Sequence, residues 1–296
     1  MTKTTRLADM LRDSPILRLA GAHSALSAKL VESTGFEAIW ASGLEISAQA
    51  AVPDANILTM TQALSAASQI AGAVDIPVLA DCDSGFGSVN NVIDMIRQYE
   101  NNGIAGICIE DKQYPKLNSF IEGNQDLAPL DDFVTKIYAA TQVRRDPSFT
   151  VVARIEALIA GAGMEEALLR ADAYTKAGAD ALLIHSKKST PDEVYEFRRR
   201  YAGPLPLIVV PTTYNSVTAT ELEAAGFGAV IYANHAVRGS IAAMEDVLAQ
   251  IYKDGTTFHV EDQIAPLKKV FHLQGMHAML EQQSRFEKLA AERLAK

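Results

Sequence analysis

Cysteine and tryptophan are scarce in this chain, two and one in 296 residues, and no apolar run approaches the roughly 18 residues that a membrane-spanning helix needs. Cys82 and Cys108 fall in separate apolar runs and form no CxxC pair. A disulfide framework and a zinc site are therefore not expected, and each thiol reads as a small reduced core residue. Excess positive charge is missing as well. Lys and Arg total 27 against 36 Asp and Glu, a formal net charge of -9. Nucleic acid and anionic membrane reward clustered cations, so neither is expected as a partner. A small anionic substrate stays open, because one cationic pocket can exist on an acidic surface. No apolar signal core follows the opening Met1-Thr-Lys-Thr-Thr-Arg, and the expected location is the cytoplasm. No low-complexity linker marks a second domain.

Hydrophobic residues make up 48% of the chain and charged residues 21%, enough apolar material for a large core. Short apolar runs recur eight times: Leu17 to Ala22, Ala38 to Ser42, Pro77 to Asp83, Gly106 to Asp111, Thr150 to Glu156, Ala181 to Ser186, Leu205 to Thr212 and Ala229 to His235. Runs such as Ala181-Leu-Leu-Ile-His do not alternate apolar with polar, as expected of parallel strands covered on both faces. Amphipathic segments separate them. Four phrases share one grammar of helix end, glycine stop and new strand: Glu32-Ser-Thr-Gly-Phe, Glu100-Asn-Asn-Gly-Ile, Thr175-Lys-Ala-Gly-Ala and Glu223-Ala-Ala-Gly-Phe. The pattern predicts an α/β fold, a (β/α)8 TIM-type barrel forming one domain over residues 1–296. Val237 to Tyr252 should be a helix, and helical character from Val260 onward gives an extension over 254–296.

In such a barrel, chemistry collects at the C-terminal ends of the strands. Here those ends are polar: Asp81-Cys-Asp83, Glu110-Asp111, Arg154-Ile-Glu156, His185-Ser186 and Asn234-His235. Asp81 and Asp83, two apart on one strand, share a face that Glu110 on the next strand could join. Three carboxylates suit a hard oxygen-seeking cation, most naturally Mg2+; alternatively each acid caps a helix or pairs with a base. Arg154, a permanent charge on a strand, requires an anion, either substrate or a neighbour such as Glu156. His185 could donate to the same anion or serve as a structural histidine. Gly43, in Trp40-Ala-Ser-Gly-Leu, could let backbone N–H groups approach a bound oxyanion. Val52-Pro-Asp-Ala-Asn reads first as a turn. The decapeptide Glu110-Asp-Lys-Gln-Tyr-Pro-Lys-Leu-Asn-Ser119 crowds charge, amide and hydroxyl into one loop, a gating loop expected over 111–128.

Those pieces together resemble the phosphoenolpyruvate mutase family of the isocitrate lyase superfamily: Trp40-x-Ser-Gly-Leu, Asp54, Asp81-x-Asp-x-Gly-x-Gly, Glu110-Asp-Lys-x-x-Pro-Lys-x-Asn-Ser, Val152-Ala-Arg-x-Glu-Ala, His185-Ser-Lys-Lys and Ala233-Asn-His. The resemblance implies interconversion of phosphoenolpyruvate and phosphonopyruvate by intramolecular phosphoryl transfer, with Mg2+ as cofactor. It implies Asp83 as direct metal ligand, with Asp81 and Glu110 acting mainly through water. It places Ser42, Gly43 and Leu44, with Trp40 and Ser119, against the substrate. Arg154, His185 and Asn118 surround the phosphoryl group, Lys116 and Asn118 ride on a closing loop, and Asp54 lies beside the transferring phosphorus. It also implies an eighth helix swapped between subunits of a homodimer or homotetramer.

Two relatives within the superfamily compete. Carbon-carbon lyases of 2-hydroxy or 2-oxo diacids typically carry K-K-C-G-H in this loop, and this loop has no cysteine. Phosphonopyruvate hydrolase resembles E-D-K-x-x-x-x-x-T-S there, so Asn118 favours the mutase, while Val52-Pro-Asp-Ala-Asn-Ile-Leu and Thr190-Pro-Asp-Glu look like the hydrolase. A non-enzymatic barrel serving as a binding scaffold is the alternative from another class.

Overall fold

The computed structural model describes residues 1–13 and 15–295. Among them, eight parallel strands close into a barrel in sequence order, β1 pairing with β8. The first four are β1 (Leu17–Ala22), β2 (Ala38–Ala41), β3 (Val78–Asp81) and β4 (Gly106–Glu110). The last four are β5 (Thr150–Ile155), β6 (Ala181–Ile184), β7 (Leu207–Val209) and β8 (Ala229–Tyr232). Every expected strand is present, though seven stop one to three residues short of the expected C-terminal limit. Those leftover residues leave the ladder and build the barrel mouth.

Helix α1 (Lys3–Asp13) precedes β1, and the others follow strands: α2 (Ala25–Thr34), α3 (Gly43–Gln49), α4 (Met60–Ala73), α5 (Val89–Asn101) and α6 (Leu130–Val143). Next come α7 (Gly163–Lys176), α8 (Asp192–Arg200) and α9 (Ala219–Ala224). The four repeated glycines behave as their phrases require, since Gly35, Gly103, Gly178 and Gly226 all have positive φ, from 74° to 99°, a conformation that glycine adopts without penalty. Hydroxyl residues open several helices: Ser24, Thr59 and Thr218 each accept a hydrogen bond from the first turn behind them.

Alternation along each strand sorts the core into two layers. Leu19, Trp40, Leu79, Cys108, Val152, Leu183, Ile208 and Ile231 point into the barrel, while Ile39, Ala80, Ile107, Val151, Leu182 and Val209 pack outward against the helices. Helix α1 was not expected from the sequence. Its Leu7 and Leu11 are buried in the inner cluster with Leu17 and Leu19, so the helix packs into the barrel interior. Both cysteines are buried free thiols.

By contacts the chain forms two units, Met1–Val237 and Arg238–Lys296. The second is helical, holding most of α10 (His235–Asp254) together with α11 (Leu267–Leu273) and α12 (Met276–Leu294). No described helix is long and apolar enough to cross a membrane.

Candidate active site

The inward column of each strand turns polar at the barrel mouth. Two residues beyond Trp40, Leu79, Cys108, Val152 and Leu183 come Ser42, Asp81, Glu110, Arg154 and His185, and two beyond Arg154 comes Glu156. Side chains repeat every second residue on a strand, so residues aligned with the apolar interior are also the ones aimed into the mouth. On β1 the corresponding position is Gly21, where a Cβ would lie 2.4 Å from the Ala233 carbonyl oxygen and 2.7 Å from Glu45 Oε1. Asp83 departs from the expected strand geometry. β3 ends at Asp81, and Asp83 sits in a left-handed turn with φ 49°. Its carboxylate accepts a hydrogen bond from Asn56 Nδ2 at 2.8 Å.

The 111–128 segment lies over this mouth and, from that position alone, is termed the lid. Its base is fastened by an antiparallel bridge between Lys112 and Leu127, with Gln113 N donating to Asp126 O at 2.9 Å and Ala128 N to Asp111 O at 2.8 Å. At its centre Lys116 Nζ lies 2.7 Å from Asp54 Oδ1 and 2.9 Å from Asp83 Oδ1, and Asn118 Nδ2 donates to Asp54 Oδ2 at 2.7 Å. The backbone N–H of Lys116 donates to Asn56 Oδ1 at 2.5 Å. Burial works against the Asp54 anion, yet Lys116, Asn118 and Arg154 together hold this carboxyl below its ordinary value. Val52-Pro-Asp-Ala-Asn is the turn its sequence suggests, and two of its side chains, Asp54 and Asn56, also bond to the lid.

The acidic cluster is buried and underpartnered. Burial, with Asp83 and Glu110 as like-charged neighbours, pushes Asp81 up to about 7 against the pull of Lys116 and Arg154. Burial raises Asp83 in the same way. Glu110 Oε1 is buried with no hydrogen-bond partner, and Asp83 Oδ1 has only the Lys116 ion pair. Buried oxygens of this kind are costly unless a cation approaches them. Among the described residues no three or more His, Cys, Asp or Glu side chains converge as a ready-made metal cage. Mg2+ does not need one, because it keeps several waters and takes one or two carboxylates together with substrate oxygens. Asp83, Asp81 and Glu110 thus fit a hard divalent cation. Gly43 abuts this cluster: its N–H donates to Asp81 Oδ2 at 3.4 Å, and a Cβ there would come within 3.1 Å of that oxygen.

Beside the acids stands a cationic wall of Arg154, with His185 next to it. Arg154 Nε is 2.5 Å from Glu156 Oε1 and 3.3 Å from Glu110 Oε2, so the ion pair expected with Glu156 is present, and Arg154 also lines the cavity between lid and barrel. His185 Nδ1 lies 2.8 Å from both Glu156 Oε1 and Arg154 Nη2. One nitrogen cannot donate to the first while accepting from the second, so the ring's protonation decides which bond forms. Burial is the largest influence on His185 and lowers its basicity. Phe120 of the lid stands edge-on to this imidazole, ring centroids 5.7 Å apart.

A cavity of about 50 Å3 remains between lid and barrel. Of the residues expected in the site, Trp40, Ser42, Leu44, Asp54, Asp81, Lys116, Asn118, Ser119, Arg154 and His185 line it. Gly43, Asp83 and Glu110 stand one contact behind, through Asp81, Lys116 and Arg154. Asn234 lines it also, whereas His235 begins α10. Sequence reasoning missed Asn56, Phe120 and Thr212. Only the first had a usable signal, an amide two residues from Asp54.

The phosphoenolpyruvate phosphomutase family model matches residues 7–252. The chain belongs to that family. It is similar to the phosphoenolpyruvate phosphomutase of Tetrahymena pyriformis, 44% identical over 92% of this chain and 91% of that one. A crystal structure of phosphoenolpyruvate phosphomutase from Streptomyces platensis subsp. rosaceus superposes with a TM-score of 0.94 at 51% identity, covering 96% of this chain and 99% of its own. The chain is also similar to a phosphonopyruvate hydrolase crystallised with oxalate and Mg2+, with a TM-score of 0.92 and 43% identity over 97% of this chain and 99% of that one.

Proposed function

We propose that this enzyme is a Mg2+-dependent phosphoenolpyruvate mutase, moving a phosphoryl group between the enol oxygen and the methylene carbon of one pyruvate unit. The carrying observation is the clasp of the lid on Asp54: Lys116 and Asn118 each occupy one oxygen of that carboxylate, and the remaining cavity is about 50 Å3. A lid shut this tightly suits a reaction in which the phosphoryl group must be delivered to carbon and never to water.

Ser42, Gly43 and Leu44 hold the pyruvate portion, and Arg154, His185 and Asn118 surround the phosphoryl oxygens. The phosphorus–oxygen bond breaks, the phosphorus–carbon bond forms, and no net proton is gained or lost. A loose transition state needs positioning and fixed positive charge more than acid-base work, and the cationic wall of Arg154 and Lys116 supplies it. Asp81, Asp83 and Glu110 would hold the divalent cation, which would supply positive charge to the enolate and phosphoryl oxygens. With both oxygens engaged by donors and its basicity lowered, Asp54 is suited to orienting Lys116 and Asn118 more than to attack on phosphorus.

Residues 111–128 serve as the gate. The assembly is a homodimer or homotetramer, and the second unit supports this: α10, α11 and α12 bury no residue, and Ile241, Met244, Leu248 and Tyr252 form an exposed apolar stripe along α10. Sedimentation of the intact protein tests the assembly, and a monomer at micromolar concentration would refute it.

Phosphorus NMR of the enzyme with phosphonopyruvate and Mg2+ tests the reaction. Phosphoenolpyruvate as product establishes the mutase, while inorganic phosphate with pyruvate makes the protein a hydrolase.

A further inference from the structure

Glu156 is fully buried, and its two carboxylate oxygens face different parts of the site. Oε1 takes Arg154 Nε at 2.5 Å and lies 2.8 Å from His185 Nδ1, both on the barrel. Oε2 takes the Ser119 hydroxyl at 2.8 Å and lies 3.5 Å from Lys112 Nζ, both on the lid. Lys112 Nζ in turn donates to Ser119 Oγ at 2.7 Å and to Leu117 O at 2.8 Å. The Ser119 hydroxyl is thereby committed, donating to Glu156 and accepting from Lys112, with a longer bond from Arg154 Nη2 at 3.4 Å. Although burial opposes ionisation, Arg154, His185 and Lys112 hold the Glu156 carboxyl well below its ordinary range, so it is a fixed anion.

We propose that Glu156 is a positioning residue that couples lid closure to assembly of the phosphoryl-binding wall, with Ser119 as the lid's latch. When the lid shuts, Ser119 and Lys112 complete the Oε2 side. The carboxylate is then fixed in the one orientation that presents Oε1 to Arg154 and His185. An open lid leaves Oε2 without these partners, the carboxylate is free to rotate, and the guanidinium and imidazole lose their common anchor. The wall is fully formed only when water is shut out. A glutamine cannot replace this arrangement, because its amide nitrogen must face a donor on one side or the other. This inference rests on the mutase reading for its turnover readout.

The test is a double-mutant cycle of Ser119→Ala and Glu156→Gln, read by phosphorus NMR with phosphonopyruvate and Mg2+ and by hydrogen exchange of the 112–127 backbone with oxalate and Mg2+ as probe. Ser119→Ala lies on the lid and leaves the barrel intact. It is expected to speed lid exchange, lower kcat on the order of 10-fold and raise the share of inorganic phosphate, with KM nearly unchanged. Glu156→Gln should lower kcat on the order of 100-fold, and the double variant should fall no further, because both changes break one linkage. Effects that multiply in the double variant, or wild-type lid exchange in Ser119→Ala, overturn the coupling. Should Glu156→Gln fail to fold, Ser119→Ala with Lys112→Met decides by the same non-additivity. Wild-type enzyme that produces no phosphoenolpyruvate overturns the mutase reading alone, since lid exchange still reports on the coupling.

Discussion

Asn118 Nδ2 donates to Asp54 Oδ2 at 2.7 Å, joining the lid to the segment between β2 and α4 across 64 positions of chain. Threonine at this position is too short to reach that oxygen and carries no amide. Asn118→Thr should therefore lower mutase turnover by roughly 10- to 100-fold and admit water, so that inorganic phosphate appears beside phosphoenolpyruvate in the phosphorus NMR spectrum. Full mutase activity in this variant would remove Asn118 from the mechanism.

Asn56 bridges the acidic cluster and the lid, giving its amide hydrogen to Asp83 Oδ2 and its carbonyl to Lys116 N–H. Its backbone is left-handed at φ 56°, so Asn56→Gly keeps the chain path and deletes only the bridge. The expected result is a higher Mg2+ concentration for half-maximal activity, by roughly 10-fold, together with a slower kcat. An unchanged Mg2+ titration would show that Asp83 is held without this bridge.

Gly106 of β4 faces Leu7 of α1. A Cβ there would meet Thr150 Cβ and the Thr150 carbonyl oxygen at 2.7 Å and Leu7 Cδ2 at 3.2 Å. Backbone on a paired strand cannot yield, so Gly106→Ala should destabilise by about 1–3 kcal/mol in urea unfolding. Gly72, inside α4, has nothing within 4 Å of its would-be Cβ, and Gly72→Ala should stabilise by about 0.5–1 kcal/mol. The opposite signs in one protein separate crowding from backbone entropy.

His185 carries a pH dependence whose sign follows from its lowered pKa, for which burial is the main cause. The unfolded chain binds a proton at this residue near pH 6.5, before the folded chain does, so folding is favoured above that value and weakens as pH falls through the folded pKa. Replacing the ring by asparagine removes this contribution. The stability difference between wild type and His185→Asn should shrink from about pH 7.5 to about pH 5.5, measured as the shift in urea midpoint. A difference that grows on acidification would mean that the imidazolium form is the one the fold holds, paired to Glu156.

Much of the barrel was legible because its signals are local. Buried parallel strands announce themselves as short unalternating runs, and each glycine stop marks a helix end by a φ that other residues avoid. Part of the candidate site was legible for the same reason, since strand parity carries the apolar column of Leu79, Cys108, Val152 and Leu183 directly to Asp81, Glu110, Arg154 and His185 at the strand ends, while Asp54, Lys116 and Asn118 came from the family resemblance alone. Parity failed at Asp83, where the left-handed turn after β3 takes over from the strand. It also gave no hint that Leu7 and Leu11 would enter the barrel interior, since an amphipathic helix does not state which surface will receive it.

By itself, then, the sequence determined the repeating strand and helix order, the end of the barrel at which charge collects, and the kinds of side chain collected there. Tertiary structure alone decided who meets whom. Lys116 finds Asp54, Ser119 finds Glu156 and Asn56 finds both Asp83 and the lid because loop closure brings distant segments into contact. Side-chain periodicity is a property of a few consecutive backbone angles and can be read along the chain. A loop closure depends on the whole folded frame that holds its two ends, and no window of sequence contains that frame.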